Sequence, residues 1–226
     1  MMQWRRRVGW MPHDLDWRLA VLFMVGSSLF AIASFPLYWQ LVDGHVVGIT
    51  FVLGSLFFTT AGYSSFYQTI NDDRDADTPA KLWAWTPRGL LWWSAIVQLA
   101  GTLLFNVNTI AATVTTFTTE KENRLVWGPD FLGSIAFLVA SQLAWRHLSG
   151  RFWFRDPDDP VWWSSLLNYL GSVFFMASAI ASFTLETTDE ALNIAIVNAG
   201  TFLGAICFLV GAYVLLPPLT ETRQPA

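Results

Sequence analysis

Residues 85–105 read WTPRGLLWWSAIVQLAGTLLF: Trp85, Pro87, Trp92, then Gly101-Thr102, with Phe105 four residues past the glycine. The same frame occurs upstream as Trp10, Pro12, Trp17, Gly26-Ser27, Phe30, and downstream as Arg155, Pro157, Trp162, Gly171-Ser172, Phe175. Only the first slot changes character, with Arg155 where the other copies carry Trp. A second frame lies between these copies. Gly54 leads to Phe58 and Ala61, Gly133 to Phe137 and Ala140, and Gly204 to Phe208 and Gly211. Self-similarity at this scale marks a repeat architecture, and the unit is a pair of apolar segments used three times.

The composition says what medium the pairs occupy. The chain of 226 residues is 54% hydrophobic and 13% charged, with a mean hydropathy of +0.41. A soluble domain carries about 25% charged residues. The charge that is present gathers between long apolar runs, as in an integral membrane protein. Crossing a hydrocarbon core takes about 20 residues in a helix, and six spans are expected at 19–40, 46–68, 91–116, 128–146, 161–184 and 192–216. The expected organisation is an interfacial segment 1–18, hairpins 19–70, 91–146 and 161–216, inner loops 71–90 and 147–160, and a disordered tail 217–226 after Leu216-Pro217-Pro218. Three arginines before the first run, with Ala31-Ile32-Ala33 within it as a mimic of a cleavage site, imitate a signal peptide. The run is too long for one, and it is a copy of the repeated frame.

Positive residues are retained on the cytoplasmic side of a membrane. With the N-terminus inside, the inner segments hold Arg5, Arg6, Arg7, Arg18, Arg74, Lys81, Arg88, Arg146, Arg151, Arg155 and Arg223, and the outer loops only Lys121 and Arg124. The fold class is therefore all-α: six transmembrane helices as three parallel two-helix hairpin repeats, with both termini inside, in the bacterial plasma membrane. Trp and Tyr rings favour the headgroup region, and eleven of the thirteen tryptophans fall near the inner face, Trp39 and Trp127 near the outer.

Between helices in lipid, association rests on close packing and interhelical hydrogen bonds. Gly26, Gly54, Gly101, Gly133, Gly171 and Gly204 are the expected packing positions. Small residues at a spacing of seven (Ser94, Gly101, Asn108; Ser164, Gly171, Ser178) share a helical face, and Gly200 with Gly204 adds a GxxxG pair. Gln98 and Asn168 share a repeat position, three residues before the glycine, and with Asn198 and Asn108 are the candidates for a polar crevice. The same amides could instead bond helix to helix.

Chemistry finds little to stand on. His13, His45 and His147 lie in three different segments, Asp43-Gly44-His45 reads as a turn, and no zinc-protease, nucleophile-elbow or nucleotide-binding motif occurs. The single cysteine, Cys207, excludes an intrachain disulfide. Asp72, Asp73, Asp75 and Asp77 surround Arg74, and Asp156, Asp158 and Asp159 follow in the later inner loop. They read as solvated linkers or as ion contacts. Ionisable groups are absent from the middles of the expected spans, Arg18 and Asp130 standing at span ends.

The segments LAGTLLFNVNT (99–109), FLGSIAFLVAS (131–141) and GTFLGAICFLVGA (200–212) resemble the YrhK-like domain, a family of short two-helix membrane units with Gly-Ser/Thr followed by apolar and Phe residues. The pairing of residues 85–106 with 125–145 is similar to larger actinobacterial members. The resemblance covers residues 80–216 well and 10–70 more loosely. It implies the helical hairpin fold; it implies no catalytic residues and no cofactor, because the family has no established activity. The expected role is a non-enzymatic structural or accessory membrane component, with the bilayer and a second copy or another membrane protein as partners and no nucleic acid. The alternative is a small-solute or lipid transporter or binding protein. Cysteines placed at Asp75 and Asp156 should resist a membrane-impermeant thiol reagent in whole cells, and cysteines at Asp43 and Thr188 should react; reversed labelling would overturn the orientation.

Overall fold

The computed structural model describes residues 10–75, 77–149 and 156–216. The expectations for Arg155, for the arginines at 5–7 and for the tail 217–226 lie outside them. The described chain is helical: α1 (Leu15–Ser34), α2 (Pro36–Leu41), α3 (Gly44–Asn71), α4 (Gly89–Ala111), α5 (Thr119–Glu122), a π-helical turn (Asn123–Trp127), α6 (Gly128–Ser149), α7 (Pro160–Ala181) and α8 (Ile194–Val214). The stretch α5–π–α6 runs on as one span, Thr119–Leu148, and six helices are long and apolar enough to cross a membrane.

Local chemistry sets the boundaries. Asp14, Asp43, Asp159 and Asn193 cap α1, α3, α7 and α8, each side chain accepting from a backbone N–H of the first turn. Asp43, in the Asp43-Gly44-His45 triplet, accepts from His45 N at 2.8 Å, which is a helix start. Gly89 takes φ +67, a left-handed backbone that suits glycine, where the extended Trp-rich segment turns into α4. The first span is shorter than the expected 19–40. Pro36 lacks an N–H and forces the residue before it out of the helical region, so Phe35 is extended (φ −81, ψ 123) and α2 starts anew. The fourth span is longer than the expected 128–146, and begins at Thr119. Between α7 and α8 lies a two-stranded hairpin, β1 (Thr184–Leu185) with β2 (Glu190–Ala191), where the sequence reading has the last residue of the span 161–184 and a loop.

Successive long helices are antiparallel neighbours, and α8 returns to pack on α1, so the six close into a ring. One end, the base, carries the start of α1 and the connectors α3–α4 and α6–α7. The other, the tip, carries α2, α5 and the β-hairpin. The surface is apolar, with Ile32, Leu103, Val107, Leu132 and Ile180 about half exposed, while Ser27, Ser55, Thr102, Ser134 and Ser172 are fully buried. That inversion suits a lipid surround, in which apolar side chains lose nothing by facing outward.

Inside, each hairpin closes on an exchange of glycine and phenylalanine. A Cβ on Gly54 would stand 2.7 Å from the Phe30 ring, and one on Gly26 3.0 Å from Phe58. In the α4–α6 pair, Gly101 meets Phe137 at 2.8 Å and Gly133 meets Phe105 at 2.9 Å. In the α7–α8 pair, Gly171 meets Phe208 at 3.0 Å, and Gly204 lies directly under Phe175. Real Cβ atoms do not approach that closely, so each ring occupies the place of the opposite residue's missing side chain. The residue after the glycine serves another contact. Ser55 Oγ pairs with Thr109 Oγ1 at 2.9 Å between α3 and α4, and Ser172 Oγ, 2.8 Å from Asn168 O of its own helix, also lies 3.3 Å from Phe137 O of α6.

Base-end tryptophans follow the frame as well. Trp10 meets Trp17 edge to face at 5.2 Å, and Trp85 meets Trp92 at 4.9 Å, so the first tryptophan of the frame lies on the second in both described copies.

Gly101→Leu or Gly171→Leu should lower stability by about 1–3 kcal/mol through overpacking, whereas Val107→Leu, 49% exposed on the lipid side, should be nearly silent. Thermal melting in detergent checks this; equal tolerance at the two kinds of site would remove the glycines from the interface.

Candidate functional site: cavities on either side of a phenylalanine core

The six frame phenylalanines meet on the ring's axis. Phe30, Phe105 and Phe175 form the layer toward the tip, and Phe58, Phe137 and Phe208 the layer toward the base, all six buried. Within each hairpin the two rings lie 5.4, 5.0 and 5.3 Å apart, and the base-side three also contact one another at 5.7–6.2 Å. Offset and edge-to-face pairs at these distances contribute about 0.5–1.5 kcal/mol each beyond area burial. The axis is thus filled at mid-height.

On the base side, two small cavities of about 50 and 150 Å³ are both lined by Gln98, Asn168 and Phe208. Ser94 and Ser172 border the first, Ser65 and Ser164 the second. The shared repeat position therefore brings Gln98 and Asn168 to the same space. Among the described residues neither side chain is hydrogen-bonded to the other or to Asn198, and Asn168 Oδ1 packs 3.3 Å from where a Gly211 Cβ would lie. The other two expected crevice residues stand elsewhere. Asn198 is partly buried near the start of α8 and borders neither cavity, and Asn108 faces the opposite side of the phenylalanine core.

That opposite side holds a larger cavity of about 210 Å³, walled by residues from all six long helices and roofed by α5 and Thr184 of β1. Its polar lining is Asn108, Thr109, Glu122, Asp130, Ser178, Ser182, Thr184 and Thr201; its aromatic lining is Phe30, Phe51, Phe105 and Trp127. Among the described residues no basic side chain lines it. A pit of about 30 Å³, bounded by Asp130, Ser178, Thr201, Phe30, Phe105 and Phe175, continues it down to the phenylalanine layer. The roof is tied in place: Asn123 Nδ2 donates to Thr184 O at 2.8 Å, Thr184 N donates to Asn123 Oδ1 at 3.0 Å, and Thr119 bonds Asp189. Trp127 Nε1 donates to Ala179 O at 2.9 Å, locking the π turn onto α7.

Asp130 stands eleven residues into the helix that begins at Thr119, about 16 Å along its axis at 1.5 Å per residue, beyond the charged first turns that hold Glu120, Lys121, Glu122 and Arg124. Ser182 Oγ donates to Asp130 Oδ2 at 3.3 Å, and the same hydroxyl lies 3.0 Å from Ala179 O. Glu120, Lys121, Glu122 and Arg124 hide the early helix start from a hydropathy reading. Thr118 followed by Glu120 and Glu122, a cap residue with acidic residues in the first turn, is the signal that could have shown it.

The acidic inner loops are exposed, with Asp73 paired to Arg88 at 3.0 Å on the surface. No three of His, Cys, Asp and Glu come together to hold a metal among the described residues. Compared with protein-family models, curated proteins and solved structures, the chain gives no match.

Since Gln98 and Asn168 lose no described protein partner, Gln98→Leu/Asn168→Leu should melt at or above the parent temperature. Ser94→Ala, which removes the Ser94 Oγ to Ala140 O bond of 2.8 Å, should cost about 0.6–2 kcal/mol. A double variant that melts lower than Ser94→Ala would show that the amides hold helices together.

Proposed function

We propose that this chain is a non-enzymatic structural or accessory component of the bacterial plasma membrane, a YrhK-like unit of three parallel hairpins with the base and both termini on the cytoplasmic side. The carrying observation is the phenylalanine core, in which six buried rings fill the axis between the cavities. A conduit needs a continuous polar or hydrated path at membrane depth, and here the polar lining is split in two. The distribution of Lys and Arg supports the orientation, and the threefold glycine–phenylalanine exchange supports the repeat reading. The apolar outer surface supports the bilayer, and assembly with a second copy or another membrane protein, as the partner environment.

A second reading, small-solute or lipid binding and transport, draws on the cavities that flank the core. The two readings separate in reconstituted vesicles. The structural reading expects efflux of small polar solutes, including choline, urea and glycerol, at the rate of protein-free vesicles. A saturable, protein-dependent flux would overturn it in favour of transport.

A further inference from the structure

From the tip-side cavity we infer a binding site for a small organic monocation of the alkylammonium class, with the Asp130 carboxylate as counter-charge and the aromatic wall as its apolar cradle. The site goes beyond the structural role proposed above and does not depend on it.

Size comes first. Liquid water takes about 30 Å³ per molecule, so the 210 Å³ cavity holds on the order of seven waters, or an ammonium group carrying a few carbons. Charge comes next. Asp130 and Glu122 both line the space, and among the described residues neither is ion-paired. Asp130's one described donor, Ser182 Oγ, has a single proton and a competing acceptor in Ala179 O. The carboxylate thus faces the cavity with most of its acceptor capacity unused. An anion would meet two carboxylates and no basic residue, and a neutral solute would leave them unanswered.

The walls choose among cations. Phe30, Phe51, Phe105 and Trp127 present rings to the same space, and ring faces attract ammonium groups, most strongly when these are desolvated. A divalent ion is poorly served: Ca²⁺ takes six to eight oxygen ligands, carboxylates prominent among them, and no three of His, Cys, Asp and Glu come together among the described residues. The pit below Asp130 ends on Phe30, Phe105 and Phe175. An occupant therefore enters and leaves by the tip, and the site binds without passing its ligand on.

The full chain in a non-ionic detergent, titrated with tetramethylammonium or propylammonium chloride at constant ionic strength, tests this by thermal shift. The expected result is a saturable rise in melting temperature with either ammonium salt and none with sodium chloride, and an apparent affinity at least about tenfold weaker in Asp130→Asn. Asn108→Phe, which places a ring in the cavity and leaves the carboxylate intact, should also abolish the shift, and it serves if Asp130→Asn does not fold. No saturable shift, an equal shift with sodium, or a shift unchanged in the variant that folds would overturn the proposal.

Discussion

Within a bilayer, a helix gains almost nothing by moving an apolar side chain from lipid to a neighbouring helix, so the bundle depends on contacts that lipid cannot imitate. Here that contact is the seating of a phenylalanine ring on the bare backbone of an opposing glycine, made twice in each of three helix pairs. It brings backbones close enough for a glycine Cβ to meet the partner's carbonyl oxygen at 3.0–3.3 Å in five of the six positions. Carbonyl contacts of that kind add small Cα–H···O terms, and the rings are delivered to the axis as a by-product. The same exchange that joins each hairpin therefore also fills the middle of the ring and divides its interior into two sets of cavities.

The dipeptide Gly-Ser/Thr does two jobs at adjacent positions. Consecutive residues on a helix point about 100° apart, so a glycine aimed at its hairpin partner leaves the next side chain aimed toward the neighbouring pair. Ser55 uses that direction for its bond to Thr109 Oγ1, Ser134 and Ser172 reach Phe175 O and Phe137 O at 3.5 and 3.3 Å, and the Thr102 methyl fits against Gly62. Such interhelical hydrogen bonds contribute about 0.6–2 kcal/mol each in a membrane. Their value here is that they cross between hairpins, where no glycine–phenylalanine exchange operates.

Much of this was legible because lipid makes packing positions conspicuous. A small residue is required wherever backbones touch, and Gly26, Gly101 and Gly171 stand in register with the same Trp and Phe neighbours. What was not legible depended on position along the membrane normal. The helix runs back to Thr119, a start that Glu120, Lys121, Glu122 and Arg124 conceal, and that extra length places Asp130 under a roof of helix and hairpin. Pro36 was readable as a break by its chemistry, yet the apolar run on both sides of it masked the interruption. Gln98 and Asn168 line the same two spaces, whereas Asn108 and Asn198 are amides by type alone, and the phenylalanine core and the chain's own geometry keep them from joining the pair.

The ring has a seam. Where α1 meets α8, the serine after Gly26 is fully buried with no hydrogen-bond partner among the described residues, and the residue after Gly204 is Ala205, which has no hydroxyl to offer. The two helices still pack against each other along their length. Among the described junctions between hairpins, this one therefore rests on shape alone, with no hydroxyl to fix the register of one helix against the other.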